Sequence, residues 1–353
     1  MTGTVLLTGP LAHPVMMAAL TVEGRAVPLR GRLTGGARAG LGQGGWPALV
    51  PDDAELPAVR VQMTARLTRY AEVMGLHPQH GGSQPLLGIA PQSDGPDWVA
   101  DAWDADLAAE IAREVLAAPP DRPAAKVAAR LPMIAGWAAS RLRGRATPAG
   151  GRGLVRARGP AGWHLIRREQ PYADYFAAEE WHLTHQTHDG GTSPVVKRAG
   201  FLSGDAVVVL PWDRARDRVM LIEQFRMAPA FRADPQPWLL ETIAGRVDAG
   251  ETPEQAARRE AQEEARLTLH DLIPAVHHYP SPGMLGEYLY MYVAPCDLPD
   301  GITGVHGDAG EAEDIRSYLV PRADLTRMVI EGQITNGPLA LLALWLETQA
   351  ARL

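Results

Sequence analysis

The sequence predicts two domains that both combine strands and helices. The chain has 353 residues, of which 46% are hydrophobic, and a single core stops growing at roughly 250 to 300 residues. Residues 1 to about 95 hold short apolar runs between Gly- and Pro-rich turns, whereas the second half alternates apolar runs with helical segments. We therefore expect a small strand-rich domain with packed helices, followed by an α/β (α+β) domain with a mixed sheet.

The first domain is predicted over residues 1–150. Its runs TVLLTG, WPALVP and AVRVQM are typical of strands, and residues 97–145 are Ala-rich with helical spacing. Pro119, Pro120 and Pro123 break that helical region, because proline removes a helix hydrogen bond. Residues 146–162 combine Gly, Pro and Arg without periodicity, which indicates a linker.

The second domain is predicted over residues 159–353. Strands are indicated by DAVVVLPW, RVMLIEQF, EYLYMYVA and IRSYLV, and helices by residues 254–265, 322–331 and 337–352. Because a Gly/Pro/Arg linker implies few essential contacts across it, a fragment that starts near Gly159 is expected to fold and work alone.

Charge and cysteine content exclude several protein classes. A formal charge of −7 argues against a general nucleic-acid binder, because phosphate backbones are held by clustered Lys and Arg. Cys296 is the only cysteine in the sequence, so an intrachain disulfide or a cysteine-based zinc cluster cannot form, and a reducing cytoplasm fits. No run reaches the roughly 20 apolar residues of a membrane helix, so we expect a soluble protein.

The segment GRVDAGETPEQAARREAQEEARL, residues 245–267, carries the strongest chemical signal. A helix start is readable, since Thr252 can cap it, Pro253 suits its first position and Gln255 completes a capping box. Farther along the helix Glu260 and Glu264 share one face. Glu263 lies beside Glu260 at i, i+3.

Three carboxylates near the C-terminal end of one helix repel one another and oppose the helix dipole. A divalent cation such as Mg²⁺ offsets this, because it takes oxygen ligands and bridges carboxylates to substrate phosphates. A solvated Glu/Arg face is the other explanation. Spacing alone does not separate the two.

The segment resembles the Nudix box, G-x5-E-x7-R-E-U-x-E-E-x-G-U with U aliphatic. Arg266 stands where that box has its last Gly, and a left-handed conformation costs roughly 1 kcal/mol or more there, so the sequence leaves the geometry of the helix end open. The flanking LIEQFR, PWLLETIAG, SPG and GVHGDAGEAEDI make residues 170–350 similar to the ADP-ribose pyrophosphatase branch. The matching box residues are Gly245, Glu251, Arg259, Glu260, Ala261, Glu263, Glu264 and Leu267.

That resemblance implies a Nudix α/β/α sandwich that splits ADP-ribose, a nucleoside diphosphate sugar, into AMP and ribose 5-phosphate with Mg²⁺, which Mn²⁺ can replace. It implies Glu260, Glu264 and the main-chain carbonyl of Ala244 as metal ligands, with Glu263 in or near the cluster. Gly245, Glu251 and Arg259 would be structural in the box, with Glu251 and Arg259 orienting the helix and loop.

The resemblance also implies the remaining site residues. Glu311, with Glu313 as its neighbour, falls on the family's catalytic base, since hydrolysis needs an activated water. Arg198 and Arg226 would contact the phosphates and terminal ribose, a role suited to the bidentate guanidinium. Glu287 would lie near the substrate. Tyr175 would stack on adenine from the partner subunit of a homodimer, although ordinary packing also explains a tyrosine.

The first domain resembles gamma-glutamylcyclotransferase-like (AIG2-like) domains through TGPL, WPALVP and RYAEVMG, residues 8–11, 46–51 and 69–75. Glu72 would match that family's acid/base Glu. Thr8 and Pro10 replace the Tyr and Thr of its Y-G-T-L loop, so we expect a structural or binding role instead of catalysis.

Three other functions stay open on the sequence. The chain could be a non-hydrolysing ADP-ribose sensor, although such a sensor has no need of a metal cluster and a base. It could have cyclotransferase activity in its first domain. Finally, it could hydrolyse a different nucleoside diphosphate sugar.

Overall fold

The structure, a computed structural model, describes residues 3–81, 84–148, 150, 153–307 and 314–353. The chain forms two compact units. Unit 1 comprises Met1–Leu202 with Asp248–Gly250, and unit 2 comprises Ser203–Val247 with Glu251–Leu353. The boundary between the units therefore lies after the predicted linker, because the strands of residues 163–202 belong to unit 1.

Unit 1 contains eight strands and five α-helices among its described residues. The strands are β1 Thr4–Thr8, β2 Gly24–Thr34, β3 Ala48–Gln62, β4 Gln79–Gly81, β5 Gln84–Leu87, β6 Trp163–Ala173, β7 Ala177–His185 and β8 Val196–Leu202. The helices are α1 Pro14–Leu20, α2 Ala65–Val73, α3 Ala105–Ala117, α4 Ala124–Ala128 and α5 Leu131–Ala146.

One sheet of unit 1 has the order β2-β3-β1-β5-β4, with β1 and β5 parallel and its other pairs antiparallel. Period-2 alternation along β1 sends Val5 and Leu7 into the core formed with the helices and Leu6 into a smaller cluster on the opposite face. Strands β6, β7 and β8 form an antiparallel meander. The predicted strands and the helices of residues 97–145 are confirmed.

Unit 2 is built from the remaining elements. Its strands are β9 Ala206–Asp213, β10 Arg218–Phe225, β11 Trp238–Glu241, β12 Ile243–Arg246, β13 Ile273–Pro274, β14 Leu285–Gly286, β15 Leu289–Pro295, β16 Val305–His306 and β17 Ile315–Pro321. Its helices are α6 Met227–Phe231, α7 Pro253–Ala265, α8 Arg322–Ile330 and α9 Gly337–Gln349.

The main sheet of unit 2 has the order β13-β15-β9-β10-β17-β16, with β11 paired to β10 and β12 paired to β9. It is mixed, because β15 runs parallel to β9 while β10 and β12 run antiparallel to it. Along β9, Val207 and Val209 join the core under α7, whereas Val208 and Leu210 join the core under α8 and α9. The predicted α/β/α sandwich is confirmed.

Within the described ranges, none of the helices combines the length and the apolar character needed to cross a membrane.

Candidate functional site

Helix α7 begins as the sequence predicts. Thr252 Oγ1 accepts a hydrogen bond from the Gln255 N–H at 3.2 Å, and Gln255 Oε1 accepts one from the Thr252 N–H at 2.8 Å. This capping box satisfies two backbone donors that the helix itself leaves open. Small buried residues of the helix, Ala257 and Ala261 among them, lie in the core with Ile243 of β12, so α7 approaches β12 closely.

That close approach brings two carboxylates of α7 to the backbone of β12. Glu264 is 2% exposed, and its Oε2 accepts a hydrogen bond from the Ala244 N–H at 3.0 Å. A Cβ on Gly245 would overlap the Glu260 carboxyl group. Glycine at this position therefore opens the space that the Glu260 carboxylate occupies.

Arg259 is the cation of this cluster. Its Nε and Nη2 donate to the two carboxylate oxygens of Glu251 at 2.9 and 3.0 Å, and its Nη1 donates to Glu260 at 2.7 Å and Glu263 at 3.0 Å. Its Nη2 also donates to the Arg246 carbonyl at 2.9 Å. Hydrogen bonding to Glu251 is the largest contribution that raises the pKa of Arg259. Arg259 thus supplies part of the positive charge that offsets the clustered carboxylates of α7.

The donor atoms near Ala244 fit a hard divalent cation. The N–H and C=O of one strand residue point to the same side, so the Ala244 carbonyl faces the side of Glu264, as its N–H does. Two carboxylates and one carbonyl are all-oxygen donors of the kind that Mg²⁺ prefers. Within the described ranges, no three Asp, Glu, His or Cys side chains by themselves form a group able to hold a metal ion.

The end of α7 keeps the left-handed turn of a glycine although the residue is Arg266. Its φ is 53° and its ψ is 31°. The Leu267 N–H donates to the Ala261 carbonyl at 2.9 Å, which closes the turn. Thus the backbone geometry persists, and the helix end is strained by about 1 kcal/mol.

Arg226 lies at the start of α6 and is held by a carboxylate that the sequence analysis did not single out. Its Nε and Nη2 donate to Glu241 Oε2 at 2.9 and 2.6 Å, and Glu241 is 4% exposed. An acidic residue at the end of the apolar strand WLLE is the signal that could have identified it. Glu241 fixes the direction of the Arg226 guanidinium.

Glu287 lies in a polar group between β14 and β15. Its Oε1 accepts a hydrogen bond from the Ser203 hydroxyl at 3.3 Å. Burial raises the pKa of Glu287, which nearby Arg246 partly counteracts. Arg246 donates to the Ser203 carbonyl. Sequence reasoning missed Ser203 and Arg246, which no catalytic pattern marks.

Unit 1 carries the other predicted residues. Tyr175 stands at the tip between β6 and β7, is 60% exposed and packs edge-on against Phe176 at 4.8 Å. Arg198 is exposed on β8. Glu72 is exposed on α2, whereas Thr8 and Pro10 are buried.

The predicted base Glu311 and its neighbour Glu313 lie outside the described residues.

Comparison with known proteins gives a consistent result. The NUDIX domain model matches residues 202–338. An ADP-ribose pyrophosphatase of Escherichia coli (strain K12) is 39% identical over 183 residues, which cover 52% of this chain and 87% of that protein. The Haemophilus influenzae ADP-ribose pyrophosphatase is 35% identical over 191 residues, covering 54% and 88%. A GDP-mannose pyrophosphatase of Yersinia enterocolitica is 32% identical over 155 residues, covering 44% and 79%.

Proposed function

This chain belongs to the Nudix family, and from that premise we propose that it hydrolyses the diphosphate bond of ADP-ribose to give AMP and ribose 5-phosphate. The observation that carries the proposal is the placement of Glu260 and Glu264 against the backbone of Ala244 and Gly245. The relatives named ADP-ribose pyrophosphatase support the choice of substrate, since 87% and 88% of their lengths are covered.

Nudix hydrolases use divalent metal ions, and we assign Mg²⁺ to this site. Glu260, Glu264 and the Ala244 carbonyl would hold it, with Glu263 beside them. When bound, such an ion supplies positive charge to the diphosphate oxygens and to the water used in hydrolysis. Arg259 keeps Glu260 and Glu263 oriented through its hydrogen bonds.

The remaining chemistry belongs to side chains that bind the substrate and move a proton. Arg226, aimed by Glu241, would donate two hydrogen bonds to a phosphate or the terminal ribose, and Arg198 would assist it. Tyr175 would stack on the base, and Glu287 would lie near the substrate. Glu311, with Glu313 as its neighbour, would take the proton from the attacking water.

A different nucleoside diphosphate sugar is the second candidate substrate. The relative named GDP-mannose pyrophosphatase supports it, although that likeness covers less of this chain, 44% against 52%. The third candidate, a sensor that binds without hydrolysis, is disfavoured because a binder gains nothing from carboxylates packed together at a cost in repulsion.

The experiment that separates these candidates is a product analysis with matched substrates. We expect ADP-ribose with Mg²⁺ to yield AMP and ribose 5-phosphate, with kcat/KM at least tenfold above that for GDP-mannose. A preference for GDP-mannose would move the assignment to the second candidate. Binding of ADP-ribose without any product, with either Mg²⁺ or Mn²⁺ present, would establish the sensor.

Three broader assignments complete the proposal. We expect a homodimer in which Tyr175 reaches the partner's site, and the exposed aromatic rings of Tyr172, Tyr175 and Phe201 on β6 to β8 support it. Sedimentation that shows an active monomer would contradict the dimer. We assign the protein to a reducing cytoplasm, which its single cysteine supports. Residues 1–150 are assigned a structural or binding role, with Glu72 as the residue to test for cyclotransferase activity.

A further inference from the structure

The hairpin of β6 and β7 is bound to the helices of unit 1 by buried ion pairs. Arg168 on β6 donates to both oxygens of Glu114 on α3, at 3.2 and 2.7 Å, and also to Glu179 on β7. Arg141 on α5 pairs with Glu114 and with Glu179. The two glutamates are 6% and 3% exposed. The helices before the linker therefore set the position of the hairpin after it.

The same helical region also contacts the tip of the hairpin. Arg122 Nη1 donates to Gln170 Oε1 at 3.1 Å on β6. At the tip itself, Arg130 Nε donates to the Asp174 carbonyl at 2.7 Å. The Asp174 N–H donates to the Phe176 carbonyl at 2.8 Å, so these two bonds together hold the turn that contains Tyr175.

Arg130 is buried beside this turn. It is the residue before α5, it is 6% exposed, and its guanidinium carbon lies 5.2 Å from the ring centre of Trp137, which is 2% exposed. A cation over an indole face is held in orientation as well as attracted. The arginine is thus fixed by the core on one side and presents its Nε to the turn on the other.

The turn, by contrast, exposes its aromatic rings. Tyr175 is 60% and Phe176 41% exposed, and the neighbouring Ala177 is fully buried. A tip that is anchored on one side and exposes a tyrosine on the other is suited to stacking that ring on a ligand. Holding that ring in place in advance removes an ordering cost from binding.

We propose that Arg130 is a positioning residue for the base of the substrate: through the Asp174 carbonyl it holds the turn that presents Tyr175. The proposal rests on the proposed function, because it takes Tyr175 to be the base-stacking residue. It gives the region before the linker a part in nucleotide recognition, a part that lies outside the NUDIX match at residues 202–338.

The test uses the full-length protein and the variants Arg130→Gln, Arg130→Lys, Tyr175→Ala and the double variant. Lys126→Gln is the matched control, because Lys126 is an exposed cation on α4, four residues before Arg130. For each protein we would measure kcat and KM with ADP-ribose, AMP affinity by calorimetry without added metal, and the melting temperature.

We expect Arg130→Gln to raise KM and weaken AMP binding about tenfold, with kcat within twofold, because the ring loses its position and the reacting diphosphate does not. Arg130→Lys keeps the positive charge and can still donate a hydrogen bond, so it should recover part of the affinity. Adding Arg130→Gln to Tyr175→Ala should cause no further loss, since two residues acting through one ring are not additive. Lys126→Gln should behave as wild type.

The outcomes separate the inference from the proposed function. If Tyr175→Ala leaves AMP affinity unchanged, the base-stacking role in the proposed function is wrong and the inference fails with it. If Tyr175→Ala weakens AMP binding but Arg130→Gln and Arg130→Lys do not, the inference alone is overturned. Unfolding of both Arg130 variants, or additive losses in the double variant, would equally overturn it in favour of a purely structural arginine.

Discussion

Replacement of Glu264 by glutamine tests the centre of the proposed site. The carboxylate is 2% exposed and its Oε2 accepts the Ala244 N–H at 3.0 Å. Glutamine has the same shape and can still accept that hydrogen bond through its amide oxygen, but it carries no charge. The substitution therefore removes the charge of a proposed metal ligand and leaves the packing of α7 on β12 in place.

We expect the substitution to change the free energy of unfolding only slightly and the activation barrier strongly. Exchanging a charged acceptor for a neutral one costs about 1 kcal/mol of stability, and weaker repulsion with Glu260 one turn earlier returns about 0.2 to 0.5 kcal/mol. We thus expect the free energy of unfolding to change by less than about 1 kcal/mol. The loss of a ligand to the ion should lower kcat at least a hundredfold, which is about 2.7 kcal/mol in the barrier.

The matched control is Glu254→Gln. Glu254 is on the same helix, and its carboxylate accepts a hydrogen bond from the Tyr292 hydroxyl at 3.1 Å instead of facing Ala244. Urea unfolding and initial rates over a Mg²⁺ series would be measured for both variants. Unchanged turnover of Glu264→Gln at saturating Mg²⁺, or an equal loss in Glu254→Gln, would refute the assignment.

Three further predictions concern stability. A fragment that starts at Gly159 keeps the pair of Arg168 with Glu179 but loses Glu114 and Arg141, and it uncovers Ala177, which packs in the core formed with the helices of unit 1. We expect it to be insoluble or partly unfolded by circular dichroism. A soluble, active fragment would restore the expectation drawn from the linker. Arg266→Gly should raise the free energy of urea unfolding by up to about 1 kcal/mol, because glycine relieves the φ of 53°; an unchanged midpoint would argue against strain there. Burial raises the pKa of Glu287 above its ordinary 4.5, so its ionised form destabilises the fold. Glu287→Gln should therefore gain stability over wild type as pH rises from about 4.5 through the folded pKa. A difference in urea midpoint between variant and wild type that is the same at about pH 4 and about pH 7 would contradict this.

Much of unit 2 was determined by local patterns in the sequence. The capping residues Thr252 and Gln255 start α7 in isolation from the rest of the fold, because a capping box is made within four residues. The apolar runs DAVVVLPW and RVMLIEQF predicted strands that β9 and β10 confirm, because residues buried on both faces of a sheet form a continuous apolar run. The order of charges along α7 likewise predicted which carboxylates share a face, since that depends only on helical geometry.

Only the tertiary structure decided where those groups meet partners distant in the sequence. The pairing of Arg226 with Glu241, and the space that Gly245 leaves for Glu260, depend on strand register and helix packing. The largest difference concerns the linker: its composition predicted independence of the two sides, yet Glu114 and Arg141 pair across it with Arg168 and Glu179. Linker composition describes the chain between two elements, whereas ion pairs between their faces form only when folding brings those faces together.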